Sequence, residues 1–111
     1  MKPRGNGIGG AGGPTVSDVA RLWMTIQHDL VSDAFIKIRP AIHESVGARL
    51  HVQVVSVRFD DDHAEGYPHV WASKSFTDNG YYITWGQLFE LLILAYREME
   101  RVLSEDNPPP A

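Results

Sequence analysis

The stretch from His69 to Leu103 constrains the fold most, because it joins the pattern of a strand, a turn and a helix. Residues His69–Phe76 are rich in β-branched and aromatic types, which favour strands. Asn79-Gly80 follows, and this dipeptide suits the positive φ angles of a type I′ turn. We therefore predict a two-residue hairpin in which Phe76 and Ile83 face each other on one side of the sheet.

A helix is predicted directly after this hairpin. Thr84 is placed to cap it, and Gln87 three residues later completes a capping box. The apolar residues that follow Trp85 recur at helical spacing: Leu88, Phe89, Leu92, Tyr96, Met99 and Leu103. With their neighbours they span more than the arc of about 100° of a surface helix, so this helix needs cover on two sides. Leu94 alone lies on the opposite, polar face.

A second helix is predicted near the start of the chain, with Ser17 as its N-cap. Its apolar residues are Val19, Leu22, Trp23, Ile26 and Leu30. We expect it to run from about residue 17 to residue 39 and to kink or break near Pro40, which lacks a backbone donor. The alternation in Phe35–Ile38 leaves a short strand as an alternative for this part.

Residues Leu50–Phe59 form the first predicted strand. Its apolar alternation changes phase between Val54 and Val55, which predicts a β-bulge there or a strand covered on both faces. A polar connection is expected over Asp60–Pro68. The predicted fold is therefore one α+β domain: N-terminal helix, three-stranded antiparallel meander and C-terminal amphipathic helix, with both helices on one face of the sheet.

The predicted domain covers residues 17–104. A length of 111 residues with 43% hydrophobic residues fits one modest core. Residues 1–16 are expected to be a disordered glycine-rich arm, and residues 105–111 a disordered proline-rich tail. Gly5–Gly10 matches the G-x-G-x-x-G pattern, but it lacks the preceding strand and following helix that phosphate binding requires.

Composition removes several function classes. The chain has no cysteine, so disulfides, thiolate metal sites and cysteine nucleophiles are excluded. No apolar run reaches the roughly 18 residues of a membrane span, and Met1–Arg4 lack the apolar segment of a signal peptide. We therefore expect a cytoplasmic protein without a membrane partner. A net charge of −4, with scattered lysines and arginines, disfavours nucleic-acid binding.

Four side chains are weak candidates for a metal site: Asp60, Asp62, His63 and His69. Their spacing fits no calcium loop, and adjacent aspartates on a strand end point in different directions. A solvated strand-connecting loop whose charges discourage edge-to-edge aggregation explains them better. The other histidines form no catalytic pattern, so we expect a non-enzymatic protein without a cofactor.

Aromatic residues cluster on or beside the predicted hairpin. We expect Tyr67, Trp71, Tyr81 and Tyr82 to include an outward set, because Trp71 should face away from Val70 and Ala72. Together with Leu94 these residues form the candidate surface for self-association, as a dimer, or for a protein partner. Burial of the same rings in the core is the alternative.

Two further functions stay open at this point. A small molecule could bind in a pocket between sheet and helices, lined by Trp23, Trp85 and Phe89. A metal-dependent hydrolase could use the segment Asp60–His69, although its spacing gives little support.

Overall fold

The computed structural model describes residues 13–43, 47–77 and 83–106. Within these ranges the chain forms two helices and one three-stranded antiparallel sheet, which confirms the predicted α+β fold. The elements are α1 (Val16–Thr25, continued by a π-helical segment Ile26–Leu30), β1 (Phe35–His43), β2 (Gly47–Asp60), β3 (His63–Thr77) and α2 (Trp85–Asp106). The predicted arm and tail fall mostly outside the described residues and stay predictions.

The sheet is a meander with strand order β1-β2-β3. β2 and β3 are joined by a two-residue turn, Asp61-Asp62, which brings Asp60 opposite His63. The prediction of a polar connection over Asp60–Pro68 is therefore wrong after residue 62. β3 tolerates Pro68 because it is an edge strand, where a missing backbone donor breaks no ladder.

The predicted helix over residues 17–39 is wrong beyond Leu30, since residues 35–43 form β1. The strand alternative for Phe35–Ile38 is confirmed, and the strand continues through Pro40 to His43. β1 is the other edge strand of the sheet, which again accommodates a proline. The meander thus gains a strand before β2. The predicted Asn79-Gly80 hairpin lies outside the described residues, and Ile83 belongs to no strand.

Both helices begin with a capping box. At α2 the prediction is confirmed: the Thr84 N–H donates to Gln87 Oε1 (2.9 Å), and the Gln87 N–H donates to Thr84 Oγ1 (3.0 Å). At α1 the cap is Thr15 and not Ser17. The Thr15 N–H donates to Asp18 Oδ2 at 2.9 Å, and this bond holds the pKa of Asp18 below its ordinary value.

The core lies between the helices and one face of the sheet, here called the inner face. α2 packs against β3 on one side and against α1 on another, so its wide apolar arc is covered within the protein. The core is built mainly from Val19, Ile26, Leu50, Val52, Val54, Trp71, Phe76, Leu91, Leu92, Ala95 and Met99. Both helices therefore cover the same face, as predicted. No helix in the described part of the chain is long and apolar enough to span a membrane.

A bulge interrupts the β2–β3 ladder at the predicted level, but the extra residue lies in β3. Val54 pairs with Ala72 and Val55 pairs with Val70, which leaves Trp71 without a partner of its own. Trp71 is turned into the core, where it is only 4% exposed. Its Nε1–H donates to Ser56 Oγ at 2.8 Å, so the polar atom of the buried ring is satisfied. The prediction that Trp71 faces outward is wrong.

Candidate protein-contact surface on the outer sheet face

The face of the sheet turned away from the helices, here called the outer face, is divided along the strands. Because Leu50, Val52 and Val54 point into the core, strand alternation places Val55 and Val57 on the outer face. The end of this face nearest the β2–β3 turn is apolar. This apolar half consists of Phe35, Val55, Val57, Phe59, Pro68 and Val70.

The apolar half is a contiguous patch. Phe35, Val55 and Val70 lie side by side in one cross-strand row, and Val57 follows opposite Pro68. Val55 is shielded in the middle of the row, whereas Phe35, Val57 and Val70 are close to half exposed. Phe59, at the end of the patch, is 65% exposed. An apolar patch of this kind marks a contact surface more often than single exposed residues do.

Gly66 on β3 leaves space for the side chains of Val57 and Phe59. Its φ is +95°, in the region that favours glycine. A Cβ at this position would lie 2.6 Å from Val57 Cγ1 and 2.9 Å from Phe59 Cε1. The two apolar side chains therefore occupy the space that any other residue would fill, and the glycine is part of how the surface is built.

The other end of the outer face, here called the basic half, carries Lys37, Arg39, Arg49 and His51. His51 is held between two serines: its Nδ1 is 3.0 Å from Ser75 Oγ and its Nε2 is 3.3 Å from Ser73 Oγ. None of the outer-face strand positions in the described residues is aspartate or glutamate. The basic half is therefore positively charged, although the whole chain has a net charge of −4.

Negative charge is concentrated at the β2–β3 turn instead. This acidic turn consists of the exposed residues Asp60, Asp61 and Asp62. The Asp60 carboxylate accepts from the Asp62 N–H (2.9 Å) and pairs with His63 Nδ1 (2.8 Å), and the His63 bond lowers the pKa of Asp60. Among the side chains of the four metal candidates, those of Asp60 and His63 are hydrogen-bonded to each other, whereas Asp62 contributes its backbone N–H. Across the described residues no three potential metal ligands converge.

Tyr67 lies on the inner face, in a row of rings that continues from the core towards the turn. Its ring centroid is 4.8 Å from that of His63, and the His69 and Trp71 centroids are 4.3 Å apart. His69 Nε2 is buried without a hydrogen-bond partner. Burial, followed by the positive charge of Arg58, lowers the pKa of His69 below its ordinary value.

The remaining predicted surface residues are separated from one another. Leu94 is 43% exposed on α2. It therefore lies in the helix layer, whereas the outer face is on the other side of the sheet. Tyr81 and Tyr82 lie outside the described residues. The predicted contact surface is therefore not brought together by the residues that can be placed.

The predicted pocket residues are also dispersed. Phe89 lines a surface groove of about 260 Å³ between α1 and α2, together with Asp18, Arg21, Leu22 and Thr25. Trp23 and Trp85 do not line this groove. Trp23 packs against the core, whereas Trp85 is about half exposed at the start of α2.

Sequence reasoning missed Phe35, Val57, Phe59 and Val70 as surface residues. The available signal was the change of phase at Val54-Val55, which moves the apolar positions of β2 from one face to the other without any bulge in β2 itself. Phe35 gives no such signal, because it lies within the helix predicted over residues 17–39.

No family model, curated protein or solved structure matches this chain.

Proposed function

We propose that this chain is a small, non-enzymatic binding protein that self-associates through the apolar half of its outer sheet face. One observation carries the proposal: Phe35, Val57, Phe59 and Val70 form an exposed apolar patch on a face that no helix of the described chain covers. Antiparallel sheets often have one solvated face, but that face is then polar. On the outer face the basic half is polar, as expected for a solvated sheet face, whereas the apolar half is not.

The alternatives have less support. The wide face of α2 is already occupied by β3 and α1, which leaves Leu94 as a single exposed leucine. The small-ligand alternative requires a pocket between sheet and helices, and there the side chains of Leu91, Leu92 and Met99 are fully buried in the described core.

The test is the solution mass, measured by light scattering behind a sizing column over a concentration series. The wild-type mass should rise from 12.4 kDa towards that of a dimer. The double variant Phe35→Ser/Phe59→Ser should raise the dimer dissociation constant about tenfold or more, because burying an apolar side chain stabilises by about 1.5–3 kcal/mol and about 1.4 kcal/mol is tenfold.

Met24→Ser/Leu94→Ser is the matched control, since it removes two exposed apolar side chains from the helix layer. It should leave the mass unchanged, and circular dichroism should show the same helix content in all variants. A wild type that stays monomeric at every concentration contradicts the proposal. A dimer that survives Phe35→Ser/Phe59→Ser contradicts it as well.

A further inference from the structure

Three features follow one another along the strands of the outer face: the acidic turn, the apolar half and the basic half. Ser56 is an inner-face residue of β2, and it lies at the level between the outer-face residues Val55 and Val57 of the apolar half. Asp61 lies five residues beyond it and His51 five residues before it, so each is about 17 Å away at 3.3–3.4 Å per residue. The two charged regions are therefore about equally far from this level, which lies within the apolar half, and they have opposite sign.

A symmetric dimer requires a surface that is complementary to itself. Consider a two-fold axis that lies in the outer face, perpendicular to the strands, and passes through the apolar half. This axis reverses the strand direction, so it stacks the apolar half on its own copy. It also carries the acidic turn of each protomer onto the partner's basic half.

The opposite arrangement is disfavoured by charge. An axis parallel to the strands also stacks the two apolar halves, but it places acidic turn against acidic turn and basic half against basic half. Like charges brought together across an interface weaken association. The charge distribution therefore favours the axis perpendicular to the strands over the axis parallel to them.

The geometry points to a second copy of this chain as the occupant of the outer face, and we propose that the two sheets stack antiparallel with Asp61 and Asp62 over the partner's row of Arg39 and His51. This inference rests on the proposed self-association and names its orientation. Stacked sheets lie about 10 Å apart and keep their strands within about 30° of each other, a gap that arginine and lysine side chains can bridge.

Charge reversal tests the orientation. Asp61→Lys/Asp62→Lys and Lys37→Glu/Arg39→Glu change only exposed residues, one pair on the acidic turn and one on the basic half. Each double variant should raise the dimer dissociation constant about tenfold or more. The quadruple variant that combines them should recover much of the wild-type affinity, because opposite charges again face each other.

The variant Asp61→Lys/Asp62→Lys also distinguishes a specific contact between charged regions from repulsion between the net charges of two protomers. Asp61→Lys/Asp62→Lys makes an acidic chain less acidic, so repulsion between whole protomers alone would predict tighter association. Weaker association supports the antiparallel contact, and tighter association overturns it. Arg21→Glu/Arg97→Glu controls for net charge, because it matches Lys37→Glu/Arg39→Glu in charge but changes exposed residues of the helix layer. This control should leave the dissociation constant within about twofold of wild type.

The outcomes keep the two proposals apart. A wild type that never dimerises overturns both. A dimer that Phe35→Ser/Phe59→Ser breaks, but that neither charge-reversal pair weakens, keeps the apolar interface and overturns the antiparallel orientation. In about 1 M NaCl, where the Debye length is about 3 Å, the differences between wild type and the charge-reversal variants should shrink.

Discussion

Gly66 combines a positive backbone φ with a position directly beside the side chains of the apolar half. The positive φ is unfavourable for other residues. In addition, the side chains of Val57 and Phe59 occupy the space where a Cβ would lie. Gly66→Ala should therefore lower the free energy of unfolding by about 1–2 kcal/mol, the cost of a left-handed conformation for an ordinary residue. Urea unfolding of the wild type and the variant measures this difference.

Gly86→Ala is the matched control for that substitution. Gly86 lies in the first turn of α2, and the nearest atoms to an added Cβ are 3.9 Å away. Alanine in a helix is favoured over glycine by about 0.5–1 kcal/mol, so this variant should be more stable than the wild type. Equal losses at both glycines would show that the conformation and packing of Gly66 are not special.

His69 links stability to pH. Its folded pKa lies below the ordinary value of 6.5, because the ring is buried and faces the positive charge of Arg58, which the carboxylate of Glu98 only partly offsets. Above pH 6.5 the ring is neutral in both the folded and the unfolded chain, and its full contribution to stability is present. As the pH falls through 6.5, the unfolded histidine takes up a proton more readily than the folded one, so the free energy of unfolding decreases.

Urea unfolding between pH 7.5 and pH 5 tests this effect. His69→Gln should flatten the decrease relative to the wild type, whereas His28→Gln, at an exposed position of the π-helical segment, should preserve it. An identical decrease in the wild type and in His69→Gln would assign the pH dependence to other groups.

At the scale of the elements, the start of α2 is stabilised by a local and reciprocal contact. Thr84→Ala removes the acceptor of the Gln87 N–H and should cost about 1 kcal/mol. Thermal unfolding followed at 222 nm reports the loss. Ser104→Ala removes an exposed hydroxyl from the last turns of the same helix and should change the midpoint little; a similar loss in both variants would argue against a capping role.

β1 is the element for which local pattern and tertiary context disagree. Ala34, Ile38 and Ala41 fall at helical spacing, but Phe35–Ile38 also alternates as a strand does. The deciding factor is the neighbouring strand: β2 follows directly along the chain and pairs with β1 from Phe35 to His43. Strand propensity depends on such partners more than helix propensity does, so the pattern of β1 alone leaves both structures open.

At the scale of the whole molecule, two helices cover one face of a three-stranded sheet and leave the other open. The buried bulge residue Trp71 strengthens the core on the covered side, while the apolar half remains on the open side. A second copy stacked on the open face would turn the two layers of one protomer into the inner and outer layers of a four-layer dimer. This is how a chain of this size can complete the burial of its sheet.

The sequence by itself determined the features that depend on neighbouring residues. These are the order of helices and strands in outline, the capping box at Thr84, the wide apolar arc of α2 and the level of the bulge beside Val54-Val55. Each rests on contacts only a few residues apart or on a periodicity within one element, so the physical cause is contained in a short stretch.

Only the tertiary structure decided which side chains share a surface. Trp71 moved from the predicted surface into the core because one extra residue in β3 reverses the alternation after Val70, and nothing in β3 alone marks that residue. Phe35, Val57 and Val70 became one patch because pairing joins strands that are distant in the chain. A surface of this kind is a property of register, and register is set by the strands together.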